Sequence, residues 1–500
     1  MSEREKAKMM NRRNFMKATT AGAGVLALTG LVPNTAQAKT PSVKWSMEAD
    51  VVVLGAGGAG LFASIEAAAA GAKVVLLEST TRVGGSSAMC GGDLVFAGTD
   101  FQKEKKINDS NKLLYDDFME IGKHRNIPEL VQTYVDNQLE TYERLKKLGV
   151  EFKTIVQGEG SAPRSHRVNP AELILILKKE ADRLGVKTLL ETSATRLVTD
   201  AGGRIVGVKA KQGEKELSIG AKRGVIVSTG GFSNNPEMLD DLKIGFSKVR
   251  SMAASGSHGD GLKMLCMEGA RMRDLPSLKA SYSQHPKSKP GKRQAVNTYR
   301  VGAILINKLG KRFVNEGFGH KELPEFTLKQ PDGIVFELFD AKIAPEAATK
   351  SMMIKEQELD QWAMKANTLE ELAEKAGIPG AALKETVAKY NEYVEAGKDP
   401  EFGRVGQVGR VGKLIKIDTP PFYFVEGISA ILGTYCGAQV NARAQVLNVY
   451  GEPIPGLFAA GEVMGGMHGD GYIGGTAFGK ALIFGRLAGK NAAAKAVKKG

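Results

Sequence analysis

Asp50-Val-Val-Val-Leu54 is a continuous apolar run of strand length, the pattern of a parallel strand covered on both faces. An alanine-rich stretch from Leu61 to Ala70 follows it and reads as a helix, and a second apolar run, Lys73 to Leu77, ends at Glu78. Strand, helix and strand in that order predict a βαβ unit of an α/β protein. Further along, Ala303-Ile-Leu-Ile306 reads as a strand and residues 359–376 and 381–396 as helices. Near the end, Gly474-Gly475-Thr476 opens a helix that runs through Ala488.

The start of the chain has a different pattern. Asn11-Arg12-Arg13-Asn14-Phe15-Met16-Lys17 precedes a modest apolar stretch, Ala21 to Val32, and Ala36-Gln37-Ala38 supplies small residues around a cleavage site. This is the layout of a twin-arginine export signal over residues 1–38. It predicts a protein handled by the twin-arginine machinery, folded around its cofactor before export, cleaved near Ala38 and resident in the periplasm.

Composition narrows the class. At 500 residues the chain is long enough for two or three domains, and 42% hydrophobic with 25% charged residues is ordinary globular usage. No apolar run approaches the ~20 residues that span a bilayer, so membrane insertion is not expected. Cys90, Cys266 and Cys436 lie far apart with no CxxC, and the six histidines show no ligand spacing, so no metal site is expected. The signal's six basic and two acidic residues carry +4 of the chain's +14, which leaves +10 on the remainder. That charge suits an acidic redox partner or an anionic substrate. Its lysines are scattered without interleaved aromatics, so nucleic acid is not an expected partner.

The chemistry begins at Gly55-Ala56-Gly57-Gly58-Ala59-Gly60, between the first strand and its helix. Gly55 makes the turn, Gly57 admits a pyrophosphate to the backbone, and Gly60 allows helix and strand to pack closely. The helix N-terminus then faces the phosphates. Glu78, 23 residues after Gly55 and followed by Ser79, is placed to accept from ribose hydroxyls. These features predict a dinucleotide site without separating NAD from FAD.

Arg82-Val83-Gly84-Gly85-Ser86-Ser87-Ala88-Met89-Cys90-Gly91-Gly92 comes next. With it the chain resembles the flavoprotein family that includes soluble fumarate reductases, urocanate reductases and 3-ketosteroid dehydrogenases. Val225 to Phe232, which contains Thr229 and Gly230, is similar to that family's strand-to-turn after its β-meander. Gly456-Leu457-Phe458-Ala459-Ala460-Gly461-Glu462 and the Gly475-Thr476-Ala477 helix start are similar to its C-terminal flavin motifs. The resemblance covers residues 48–500. It implies non-covalent FAD, with Glu462 on the ribityl chain and the helix start facing the flavin. It also implies a Rossmann-like FAD-binding domain (48–280 and 434–500) with an inserted α+β clamp domain (281–433). Cys90 reads as a small buried space-filler.

The resemblance also implies substrate residues. His285, in a His-Pro step, matches a carboxylate-binding histidine, and Arg300 matches a proton-relay arginine ahead of Gly310-Lys311-Arg312-Phe313-Val314-Asn315-Glu316. The relay's acid falls on Asn297. His320 stands where the proton-donating arginine is expected, and Tyr472 where a carboxylate-binding arginine is expected; a second carboxylate-binding histidine falls near Thr434-Tyr435. Two arginine–carboxylate pairs are each worth roughly 1.5–3 kcal/mol, so their absence argues against fumarate. His320 reads either as the acid that protonates carbon or as a structural histidine, and Tyr472 as a substrate contact. His258 and His468 read as satisfied loop residues.

Two activities follow from these residues. One is reduction of an activated C=C bond, in an enoate or aryl acrylate, with electrons from a separate periplasmic c-type cytochrome because the chain carries no haem motif. The other is a ketone or ketosteroid-type dehydrogenase, for which Gly474-Gly475-Thr476 and the tyrosines Tyr282, Tyr435 and Tyr472 speak. A flavin carrier without substrate is disfavoured by the clamp-like segment.

Overall fold

The computed structural model describes residues 43–243, 245–275, 278, 280–289, 297–345, 359–408 and 412–494; the export signal expected over residues 1–38 lies outside the described residues. The predicted βαβ unit is present as β1 (Met47–Leu54), α1 (Gly58–Ala69) and β2 (Val74–Leu77). Val51 to Leu54 and the whole of β2 are buried, as strands covered on both faces must be. A small antiparallel sheet follows, β3 (Asp93–Val95), β4 (Thr154–Val156) and β5 (Ser165–Arg167), with β5 in the middle.

The main sheet is completed by β6 (Lys187–Leu189), the meander β7 (Thr192–Thr199), β8 (Ile205–Gln212) and β9 (Lys215–Val227), and strands from the far end of the chain. A second sheet collects β10 (Ser281–Gln284), β11 (Ile304–Ile306), β12 (Ile334–Asp340) and β13 (Ala363–Ala366), followed by α2 (Leu369–Ala376), α3 (Gly380–Glu395) and β14 (Phe422–Ala430). Its order is β10-β14-β12-β11 with β13 also on β14, all antiparallel. Then β15 (Gln445–Leu447), β16 (Pro453–Ala459) and α4 (Thr476–Ala493) return to the first sheet, whose order is β15-β16-β9-β1-β2-β6. β1, β2, β6, β9 and β16 run parallel. The mixed α/β architecture with a parallel nucleotide-binding sheet is the expected class.

Residues 359–376 do not form the single helix expected. Leu359–Trp362 is helical, β13 pairs with β14, and α2 starts after Thr368, whose side chain accepts the Glu371 N–H at 3.2 Å. Ala363-Met-Lys-Ala366 consists of good helix formers, but an available sheet edge overrides propensity.

Apolar packing divides in the same way as the sheets. One cluster runs from Ala49 to Ala493 and joins α1 and α4 to the parallel sheet. Another, within residues 301–425, is built around α2, α3 and the second sheet. Beneath the second sheet lies a buried ion cluster: Arg312 meets Glu316 at 2.8 Å and Asp399 at 2.9 Å, and Arg404 meets Glu316 at 3.2 Å. The motif Lys311-Arg312-Phe313-Val314-Asn315-Glu316 is therefore partly structural.

Candidate functional site

A cavity of about 1300 Å³ is lined both by the β1–α1 turn and by residues of the second sheet. Gly57, Gly58 and Ala59 are on its wall. Gly55 has φ +94°, and a Cβ on it would sit 2.6 Å from the Ser228 carbonyl oxygen. Gly60 is not on the wall; a Cβ there would lie 1.9 Å from the Gly55 carbonyl oxygen, so it serves the helix–strand contact. Glu78 and Ser79 are on the wall. The Glu78 carboxylate accepts N–H groups from Ala56 and Thr80, both at 2.9 Å, and so braces the glycine turn as well as facing the cavity.

Gly85, Ser86, Ser87, Gly91 and Gly92 also line the cavity, whereas Gly84 shapes the loop behind it with φ +117°. Cys90 is half-buried on the wall and not fully buried as expected: it packs against the main apolar cluster on one side and faces the cavity on the other, with the Gly92 N–H 3.4 Å from its sulfur. Thr229 and Gly230 reach the wall from the turn after β9, and the Thr229 hydroxyl is buried without a partner. Glu462 accepts the Thr434 N–H at 2.7 Å. Gly475 (φ +97°) and Ala477 are on the wall at the start of α4, while the Thr476 hydroxyl turns inward to the Ile473 carbonyl at 2.7 Å. A backbone cradle kept free of Cβ atoms, an orphaned hydroxyl and an open helix start fit FAD.

A different set of residues makes the rest of the wall. Arg300 and His320 are there as expected, together with Glu159, Tyr435 and Tyr472. Glu159 lies 3.2 Å from His320 Nδ1 and 3.3 Å from Arg300 Nη2 through one oxygen, and accepts the Gly474 N–H at 2.8 Å through the other. Burial pushes the Glu159 carboxyl up, but His320, Arg300 and the Gly474 N–H outweigh it and hold it far below the carboxylate range. Burial holds His320 below its ordinary value, with Glu159 opposing that effect.

Aromatic rings close this end. Tyr472 packs against Tyr435 at 5.0 Å and against His320 at 5.9 Å between centroids. Lys321 places its ammonium 4.1 Å from the Tyr435 ring and 5.5 Å from the Tyr472 ring. Tyr435 holds a φ of +56°, a strained choice for an aromatic residue on a cavity wall. Burial raises the Tyr472 phenol well above its ordinary value, and the Ala477 and Gly475 N–H groups oppose that shift.

Two histidines also differ from expectation. His285 is not among the residues that line the cavity; its ring packs edge-on against Trp362 at 4.9 Å, and burial pushes it down to about 4. The neighbouring Ser283, with φ +85°, and Gln284 face the cavity instead. His468 is not a satisfied loop residue: it is buried against Tyr435 and Tyr472, and its Nε2 has no partner. Burial, with Lys480 and Lys321 nearby, keeps it neutral.

Glu159, Lys321 and Lys480 were not visible in the sequence as site residues. Glu159 lies in an unpatterned Gly/Ser turn, and Lys480 is one lysine within a helix. Lys480 lines the cavity, donates to the Met464 carbonyl at 2.9 Å and is pushed down to about 8 by burial. Among the described residues no cluster of three or more His, Cys, Asp or Glu is placed to hold a metal, and no helix is long and apolar enough to cross a membrane.

Comparison with known proteins agrees with this geometry. The family model described as an FAD binding domain matches residues 50–477. The chain is 32% identical over 455 residues to fumarate reductase (cytochrome) of Shewanella frigidimarina, covering 89% of this chain and 77% of that protein. It is 30% identical over 487 residues to vinyl phenol reductase of Lactiplantibacillus plantarum, covering 89% of this chain and 96% of that protein. The solved open conformation of a flavocytochrome c3 fumarate reductase superposes with a TM-score of 0.77 at 31% identity, over 90% of this chain and 78% of that one. The chain belongs to the FAD-binding flavoprotein family that includes the fumarate reductases, and it is an FAD-dependent oxidoreductase of the kind that acts on C=C bonds.

Proposed function

We propose that this protein reduces the C=C bond of an enoate carrying an aryl group and at most one negative charge. The observation that carries this reading is the state of the cavity's arginines. Three arginines line the cavity: Arg82 on the loop of residues 82–92, Arg300, which faces Glu159, and Arg167, which faces Asp93 at 2.8 Å, so the guanidinium charges of Arg300 and Arg167 are already matched by carboxylates of the protein. A dicarboxylate needs two uncompensated cations in a closed site. Tyr435 and Tyr472 instead present two aromatic rings, their planes inclined at 48°, which suits a substrate with an aromatic ring.

The glycine turn, the loop of residues 85–92, Glu462 and the start of α4 would hold FAD, which would supply a hydride there. His320 supplies the proton to the adjacent carbon, and Tyr435 and Tyr472 hold the plane of the substrate. Residues 281–433 act as a lid that brings Arg300 and His320 to the cavity and excludes water. Electrons come from a separate c-type cytochrome. Twin-arginine export through residues 1–38 places the protein in the periplasm, and the basic surface steers the acidic partner.

The test is anaerobic re-oxidation of the reduced, FAD-loaded protein by fumarate, urocanate, cinnamate and unsaturated ketones. Cinnamate should outpace fumarate by about 100-fold or more, since two arginine pairs worth ~1.5–3 kcal/mol each are missing. Faster re-oxidation by fumarate overturns the reading. Reduction of the oxidised protein by a saturated ketone would place the dehydrogenase activity first.

A further inference from the structure

Glu159 sits in the turn between β4 and β5, outside residues 281–433, while His320 and Arg300 lie inside that span. Its carboxylate therefore joins the nucleotide-binding part of the chain to the second sheet. One oxygen is anchored by the Gly474 N–H at 2.8 Å, just before α4. The other is shared by His320 Nδ1 at 3.2 Å and Arg300 Nη2 at 3.3 Å.

Donor and acceptor counting decides how His320 is used. His320 Nδ1 also lies 3.2 Å from Arg300 Nη2. A guanidinium nitrogen only donates and a carboxylate oxygen only accepts, so Nδ1 satisfies one of the two. Arg300 has acceptors without it: the Glu159 oxygen and, for Nε, the Tyr299 hydroxyl at 3.2 Å. An Nδ1–H donated to Glu159 leaves Nδ1, the Glu159 carboxylate and Arg300 each with a partner. It also leaves Nε2 as the nitrogen that exchanges a proton.

We propose that Glu159 is the positioning residue for the proton donor: by accepting Nδ1–H it fixes the His320 tautomer, favours the imidazolium and presents Nε2–H to the substrate carbon. It thereby fills the acidic place that Asn297 leaves open. After hydride addition to one carbon, the electron pair left on its neighbour takes the Nε2 proton. The C–H bond forms as the N–H bond breaks, and His320 is left neutral with Nδ1–H still on Glu159. Water returns the proton to Nε2 for the next turnover. The inference rests on His320 as the proton donor.

The charged groups around His320 make the proposal testable by pH. Arg300 and Lys321 disfavour the imidazolium, as burial does, the phenol of Tyr472 lies against the ring, and Asp93 with Arg167 forms a neutral pair beyond Glu159. Glu159 is the group that favours the charged ring. Its replacement lowers the His320 titration midpoint, by about one pH unit or more for an opposite charge lost at this range.

The experiment compares H320A, E159Q and E159D as FAD-loaded proteins, with flavin absorbance confirming loading. Cinnamate is the probe, and the His320 ring is titrated by NMR in the oxidised protein with H320A for assignment. E159Q should lower kcat about tenfold at pH 8 with KM little changed, the loss should shrink toward pH 5, and the His320 midpoint should fall. E159D should restore part of both, and it carries the test if E159Q fails to load. A uniform loss across pH, or an unmoved His320 midpoint in E159Q, overturns the proposal. An impaired H320A beside a fully active E159Q overturns this inference alone; a fully active H320A overturns the proton-donor reading and the inference with it.

Discussion

The two ends of the cavity are built from different materials. The cradle end is backbone: Gly55, Gly57, Gly58, Gly85 and Gly230 bring bare Cα atoms to the cavity wall, with Glu78 bracing the turn. The substrate end is side chain: Glu159 from a turn between short strands, Arg300 and His320 from the second sheet's segment, and Tyr435 and Tyr472 from the return to the first sheet. A backbone site tolerates little change, because a Cβ in the wrong place meets atoms that cannot move. A side-chain site can be rewritten one residue at a time while the fold stays intact, and this is how one flavin scaffold takes different unsaturated substrates.

Substitutions that separate the two ends fall in a clear order. Gly60→Ala should have the largest effect, since its Cβ would lie 1.9 Å from the Gly55 carbonyl oxygen. A loss of at least about 3 kcal/mol, or failure to fold, is expected in thermal unfolding. Gly57→Ala meets nothing closer than 3.8 Å, so its unfolding without flavin should match the parent while FAD affinity drops. Equal damage from both would mean that Gly57 serves packing and not the ligand.

At the other end, His320→Ala should leave FAD binding and melting temperature unchanged and slow turnover with cinnamate by about 10²-fold or more. A flavin-binding defect in that variant would show that the two ends are not separable.

The smallest effect is a stability slope. Burial raises the Glu337 carboxyl, beneath Arg300's segment, to about 7, against an ordinary value of 4.5. Between those values the folded protein holds a proton that the unfolded chain has released, so stability falls as pH rises from 4.5 to about 7 and then levels off. Glu337→Gln should flatten that slope in denaturant titrations, and an unchanged slope would assign it to another group.

The cradle was legible because its requirements are local. Gly55 to Gly60 and Glu78 sit at spacings imposed by one strand, one turn and one helix, and Gly55, Gly57, Gly58, Ala59, Glu78 and Glu462 all line the cavity. The substrate end was legible only in part. Arg300, His320 and Tyr472 reach the cavity wall, but His285 packs on Trp362, one residue beyond where the chain faces the cavity. His468 looked like a loop residue beside glycines, and only the folded chain shows it buried between two tyrosines.

The chain order of apolar runs, glycines and acids was enough to determine an α/β dinucleotide fold, because that follows from hydrogen bonding and sterics within about thirty residues at a time; the family and its cofactor came from the resemblance of its ordered motifs. What Arg300 faces and which group favours a proton on His320 were decided only by tertiary structure. Each depends on a carboxylate at residue 159 standing 3.2 Å from a histidine at residue 320. Electrostatic coupling acts through space at a few ångströms, and a distance of that kind between two segments leaves no periodicity in the sequence.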